Sequence, residues 1–328
     1  MRSGKAIAPA LGAAVVCVTI LASLRAGSGQ TAGPSYQVDV DMVVLSFEVK
    51  DGKGKPVRGL TATDVRIFED GIPQTISAFA EGNKVSVGSS GAHDMAAGVN
   101  VFVLFDTSNR MYKAFPYVYD SISELVRRLG SEDSVAIYTF SRNLFRAAPL
   151  TRDHDLARAG LNNAVAGDDT ALFNALLLTL RDAAPVSGRR AIVAFSNGPD
   201  TASTVSPYDV AAVAENEGVP IHIISSHTPE QDQGLAEALR FLTERSGGNL
   251  YYARTRDQQS QAFRSAREDI ESSYTACYYP APNPNSGFRA LRVEIQTPAS
   301  KAYQVRTRSG YRIRDRERVS GKSLNPKK

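Results

Sequence analysis

Asp106, Thr107 and Ser108 follow directly on the apolar run Val101-Phe102-Val103-Leu104-Phe105. A run this short suits a strand buried on both faces better than a helix. The carboxylate and two hydroxyls then arrive together. In open α/β sheets ligands sit outside the carboxyl ends of the strands, so Asp106 and Ser108 stand where such a sheet does its binding. Two further polar loops have the same context. Gly167-Asp168-Asp169-Thr170 precedes the helical stretch Ala171 to Ala184, and Ser196-Asn197-Gly198 follows the apolar run Ala191 to Phe195. Each loop has an ordinary explanation: Asp168, Asp169 or Thr170 as a helix cap, the other two loops as plain turns. Three such loops at three strand ends favour one shared surface.

In these residues the chain resembles the von Willebrand factor A domain family over roughly Gly98 to Tyr274. More narrowly, it resembles the exported von Willebrand A-related proteins of acidobacteria. The family hallmark is a metal-ion-dependent adhesion site, Asp-x-Ser-x-Ser, then a distant Thr, then an Asp before Gly. Asp106, Ser108 and Thr170 match. Arg110 stands in place of the second Ser, and Asn197 in place of the last Asp. The resemblance implies a site for a divalent cation such as Mg²⁺ on Asp106, Ser108, Thr170 and Asn197. Hard cations take oxygen ligands, and an open coordination position can accept a partner's carboxylate. Arg110 opposes this, because guanidinium offers no acceptor and keeps its charge. Unit charges ~4 Å apart interact by roughly 4 kcal/mol at an effective dielectric near 20, and a divalent ion doubles that. Arg110 either swings outward or pairs with Asp106 or Asp169, replacing the metal. Arg110 and Asp169 are therefore expected to face the partner.

Signals for catalysis are weak, and the expectation is a protein that is not an enzyme. There is no Gly-x-x-x-x-Gly-Lys-Ser or Gly-x-x-x-x-Gly-Lys-Thr phosphate loop, no dinucleotide glycine fingerprint and no Gly-x-Ser-x-Gly elbow. His93, His154, His222 and His227 are scattered, and no His or Cys spacing suggests zinc. His222 reads as a satisfied core histidine. A hydrolase is the weakest of three readings. The others are a binding module for a protein or envelope polymer, and an assembly element with a vestigial, Arg-filled site.

The net charge of +4 conceals an uneven distribution. Arg2, Lys5 and Arg25 lie in an N-terminal stretch without acids, and Lys301 to Lys328 holds ten basic and two acidic residues. The body between carries about −7. An acidic body with a basic tail does not read as a nucleic-acid protein. Residues 1–30 look like an export signal: a positive start, the apolar stretch Ala6 to Leu24, then small residues. Cleavage is favoured, with an uncleaved anchor as the alternative. The expected location is periplasmic or extracellular, with membrane contact through an uncleaved N-terminus or the basic tail. Cys277 then remains as a lone thiol, expected buried and inert.

The elements that position the loops follow from periodicity. Val43, Leu45, Phe47 and Val49 alternate with polar positions, and Leu291, Val293 and Ile295 do the same near the other end. Val65 to Phe68 and Ile72 to Phe79 read as a hairpin about Glu69-Asp70-Gly71. Neither end has enough strands to bury a face alone. The fold class expected is α/β: a doubly wound, mainly parallel sheet inserted in a small discontinuous β-sandwich. The expected organisation is 1–30 signal or anchor, 34–81 first half of the sandwich, 82–98 linker, 99–275 A-type domain, 276–314 second half, and 315–328 basic tail.

Overall fold

The computed structural model describes residues 42–87, 98–109, 115–196 and 198–313. The chain opens with β1 (Val43–Lys50), β2 (Val65–Glu69), β3 (Ile72–Gln74), β4 (Ile76–Glu81) and β5 (Lys84–Val87). Strands and helices then alternate: β6 (Val99–Asp106), α1 (Phe115–Arg127), β7 (Ser134–Phe140), β8 (Leu144–Thr151), α2 (His154–Gly160), α3 (Leu172–Ala183), β9 (Arg189–Ser196), α4 (Pro207–Glu217), β10 (Ile221–Ser225), α5 (Gln233–Ser246), β11 (Leu250–Tyr252) and α6 (Arg256–Ser272). The described part closes with β12 (Tyr274–Tyr278), β13 (Phe288–Ile295), β14 (Gln304–Thr307) and β15 (Gly310–Arg312).

The middle strands form one sheet in the order β11-β10-β9-β6-β7-β8, parallel except for the antiparallel edge strand β8. Alternate residues of central β6 feed two cores. Val101, Val103 and Phe105 pack with α1 and α6, while Phe102 and Leu104 pack with α3, α4 and α5. A continuous apolar run is what a strand covered on both faces requires. The start of β6 is pinned by Asp133, which accepts from Val99 N at 2.9 Å. Gly98 there has φ +85°, and a Cβ would lie 2.2 Å from the Glu132 carbonyl oxygen, so only glycine fits. Helix α4 begins as its sequence implies. Ser206 and Asp209 form a reciprocal cap, Pro207 occupies the first turn, and Gly218 ends the helix at φ 65°.

The two ends of the chain meet in a β-sandwich. One antiparallel sheet runs β14-β1-β12-β4-β5 and the other β15-β13-β2-β3. Phe47, Phe79 and Tyr274 stack at its centre with ring centroids 5.5–6.3 Å apart. Three details differ from the sequence reading. The expected strand Ile72 to Phe79 divides at Thr75, so β3 pairs with β2 while β4 crosses to β12. A two-residue turn at Asp70 (φ 50°) and Gly71 (φ 82°) closes the short hairpin, and the crossover lets this segment serve both sheets. The stretch read as a linker from residue 82 begins instead with β5, which caps the edge beside β4. β12 starts at Tyr274, ahead of the boundary expected at 276, because Tyr274 pairs with Glu81 and Phe47.

Buried arginines tie the sandwich to the parallel sheet. Arg189 donates to Asn83, to the Ile270 carbonyl and to Ser273. Arg308 donates to the Glu215 and Asn216 carbonyls at the end of α4 and to the Val44 carbonyl on β1. A cation at a helix C-terminus satisfies orphan carbonyls and opposes the helix dipole. Burial pulls the Arg189 guanidinium down to about 10, still charged at neutral pH. Cys277 is buried and forms no disulfide among the described residues. No helix among the described residues is long and apolar enough to cross a membrane.

Candidate functional site

Parallel register places the ends of β7, β6, β9 and β10 side by side, with Asp106 opposite Phe140 and Ser225 opposite Ser196. Asp106 is 1% exposed. One carboxylate oxygen accepts from the Ser108 N–H at 2.9 Å and the other from the Ser196 hydroxyl at 2.9 Å. Thr107 donates twice to the Phe140 carbonyl. Ser108 is buried, and its Oγ has no hydrogen-bond partner among the described residues.

The Gly167–Thr170 loop joins both neighbours. Gly167 N donates to the Thr107 carbonyl at 2.9 Å, and Ser108 forms a parallel bridge with Gly167. Thr170 is buried, and its carbonyl accepts from Thr201 N and Ala202 N, beyond β9. Asp106, Ser108 and Thr170 therefore come together at one rim. Asp169 points outward and pairs with Arg142, whose Nε lies 3.1 Å away. Arg110 and Asn197 lie outside the described residues.

None of Asp168, Asp169 and Thr170 caps α3, contrary to the ordinary explanation. The capping position is Ala171, and the N-terminal amides are taken by the neighbouring loop. Asp200 accepts from Phe173 N, and Ser203 Oγ from Asn174 N, each at 2.9 Å. Asp200 and Ser203, not Thr170, take these amides. Replacing Asp200 by alanine is expected to cost about 1 kcal/mol. Faster hydrogen exchange at the Phe173 amide would report it, and unchanged exchange there would refute the assignment.

Ser196, Arg142 and Asp200 are the residues that sequence reasoning passed over. Ser196 carried a signal, as the hydroxyl next to Asn197. Arg142 carried none, since only the β7–β8 turn brings it to Asp169.

The rim fits a hard cation in part. The Ser108 hydroxyl oxygen has no hydrogen-bond partner among the described residues, and Asp106 supplies charge. Both Asp106 oxygens, however, already accept hydrogen bonds, and Arg142 compensates Asp169.

A second group lies at the opposite end of the sheet. Glu48, His222 and Asp269 are buried with ligand atoms within 4.8 Å of one another. A cation is already there: Lys50 Nζ stands 2.8 Å from Asp269 and 3.5 Å from Glu48. Asn249 Nδ2 bridges the two carboxylates, and the Tyr251 hydroxyl donates to Asp269. His222 departs from the satisfied core histidine expected, because its Nδ1 has no hydrogen-bond partner among the described residues. Burial pulls its imidazole down to about 4 and, with Asp269 alongside, pushes the Glu48 carboxyl up to about 7.

Residues 101–200 match the family model of the von Willebrand factor type A domain. No curated protein matches the chain. Among solved structures, an aerotolerance-related membrane protein from Bacteroides fragilis is similar at 20% identity, over 53% of this chain and 98% of that one, with a TM-score of 0.45. BatB from Bacteroides thetaiotaomicron is similar at 21% identity, over 52% and 98%, with a TM-score of 0.43. A von Willebrand factor type A protein from Catenulispora acidiphila is similar at 11% identity, over 82% and 73%, with a TM-score of 0.44.

Proposed function

We propose that this chain is an exported binding module of the von Willebrand A type, related to the acidobacterial proteins of that kind, and not an enzyme. It holds a protein or an envelope polymer at the rim formed by the loops after β6, before α3 and after β9. Asp106, Ser108, Thr170 and Asn197 form a degenerate metal site, and Arg110 and Asp169 face the partner. The observation that carries this reading is the buried Ser108 hydroxyl. A hydroxyl held beside a buried carboxylate without a bond of its own costs stability, and a ligand's arrival would repay it. When bound, a divalent cation would supply a bridge to a partner's carboxylate. The chain's own part is to fix Asp106 through Ser196 and the Ser108 amide, beside the buried Ser108 hydroxyl.

Calorimetry with Mg²⁺, Mn²⁺ and Ca²⁺ on wild type and on Asp106→Ala tests the metal. Saturable binding that Asp106→Ala abolishes supports a working site. Absence of binding leaves the second reading, an assembly element whose rim is closed, which is favoured by the hydrogen bonds that both Asp106 oxygens already accept. Recovery of partners from envelope extract tests the surface. The same set captured by wild type, Ser108→Ala and Asp169→Ala would remove the rim from the proposal.

A further inference from the structure

A groove of about 500 Å³ lies between α1 and α6. Ligand pockets typically enclose about 300–1,000 Å³. None of Asp106, Ser108 and Thr170 lines it. Arg127, Arg128, Arg158, Arg256, Arg264 and Arg267 all border it. This is an unusual concentration for a body whose summed charge is negative. Four carboxylates answer these six guanidiniums. Glu124 is shared by Arg127 and Arg128, Asp120 lies 3.6 Å from Arg256, Asp155 2.9 Å from Arg158, and Glu271 2.6 Å from Arg267. Among the described residues two positive charges are left over.

We infer that this groove binds a small phosphate monoester. A phosphate group offers three acceptor oxygens and close to two negative charges near neutral pH, matching the guanidinium forks of the lining and the spare charge. A single carboxylate does not match. It brings one charge and must compete with Glu124, which is already held against two arginines. Guanidinium forks suit the tetrahedral oxygens, and their bonds to phosphate are about twice as strong as neutral ones.

The full chain is titrated by calorimetry, at low salt, with inorganic phosphate, phenyl phosphate and benzoate. Saturable binding of phenyl phosphate and of phosphate, with benzoate at least about tenfold weaker, is the expected result. Arg264→Ala and Arg267→Ala each weaken phenyl phosphate about tenfold or more, and Asp106→Ala leaves it unchanged. Arg267→Lys keeps the charge and guards against misfolding; it also weakens binding, because the fork is lost. Sedimentation with phosphatidylcholine vesicles containing phosphatidic acid separates the sources. Pelleting of wild type but not of Arg264→Ala assigns the phosphate to a lipid headgroup, and no pelleting assigns it to a soluble ester. Absence of saturable binding to any phosphate probe, equal binding of benzoate, or full binding by Arg264→Ala and Arg267→Ala overturns the inference.

Discussion

Replacing Glu69 by alanine is expected to destabilise the protein by about 3–5 kcal/mol, the cost of stranding one partner of a buried ion pair. The Glu69 side chain is fully buried at the end of β2. One oxygen accepts from Arg289 at 2.5 Å, and the other from the hydroxyls of Tyr278 at 3.0 Å and Tyr311 at 2.8 Å. These partners come from β12, β13 and β15, so a single carboxylate joins strands of both sheets. Burial and the nearby carboxylate push both phenols far above their ordinary range, which keeps them neutral donors. Without Glu69, the Arg289 guanidinium and two hydroxyls lose their acceptor where water does not replace it. Glu69→Gln keeps one acceptor oxygen and the side-chain volume, so its loss should be smaller than that of alanine. Thermal unfolding checks both, with a drop in Tm on the order of 10 °C for alanine. A variant melting within a degree or two of wild type would show that the network is not what joins the sheets.

The parts of the fold carried by local pattern were legible before any coordinates. Val43, Leu45, Phe47 and Val49 alternate, and all four are buried. The run from Val101 to Phe105 is wholly buried, as continuous apolarity requires of a strand covered on both faces. Ser206-Pro207 and Gly218 mark both ends of α4 because capping is written within a few residues. What resisted reading depends on pairing between distant segments. Thr75 looks like any other strand position, and only the two sheets' separate demands divide the strand there. Thr170 reads as a helix cap until Asp200, thirty residues on, is seen to take that role. At the rim, Asp106, Ser108 and Thr170 could be located because each directly precedes or follows an element with a strong pattern. Ser196's bond to Asp106 needed the register of β6 against β9. The groove arginines lie on or directly beside three helices, and in the sequence they are merely scattered charges.

His222 shows the same dependence on distant residues, and it leads to the second large effect. Its neighbours, Glu48 and Asp269, come from opposite ends of the chain. Two groups in this cluster titrate in opposite senses, and wild type should hide both. The Glu48 carboxyl is raised from 4.5 to about 7, so the folded state takes up its proton before the unfolded state does. Stability from Glu48 is therefore fully present below pH 4.5 and lost as pH rises through 7. The His222 imidazole is lowered from 6.5 to about 4, so the unfolded state takes up its proton first. Stability from His222 is present above pH 6.5 and lost as pH falls through 4. Between these limits each state binds one proton, and the two slopes nearly cancel. Lys50, Arg306 and Asp269 also face the cluster. Glu48→Gln should expose the histidine alone, with stability falling on acidification from pH 6.5 towards 4. His222→Gln should expose the carboxyl alone, with stability falling as pH rises from 4.5 to 7. Each window carries on the order of 3 kcal/mol. Denaturant melts of the two variants across pH 4–7.5 would show slopes of opposite sign. Parallel slopes would mean that Glu48 and His222 do not titrate against each other, and that Lys50 alone fixes the charge of this junction.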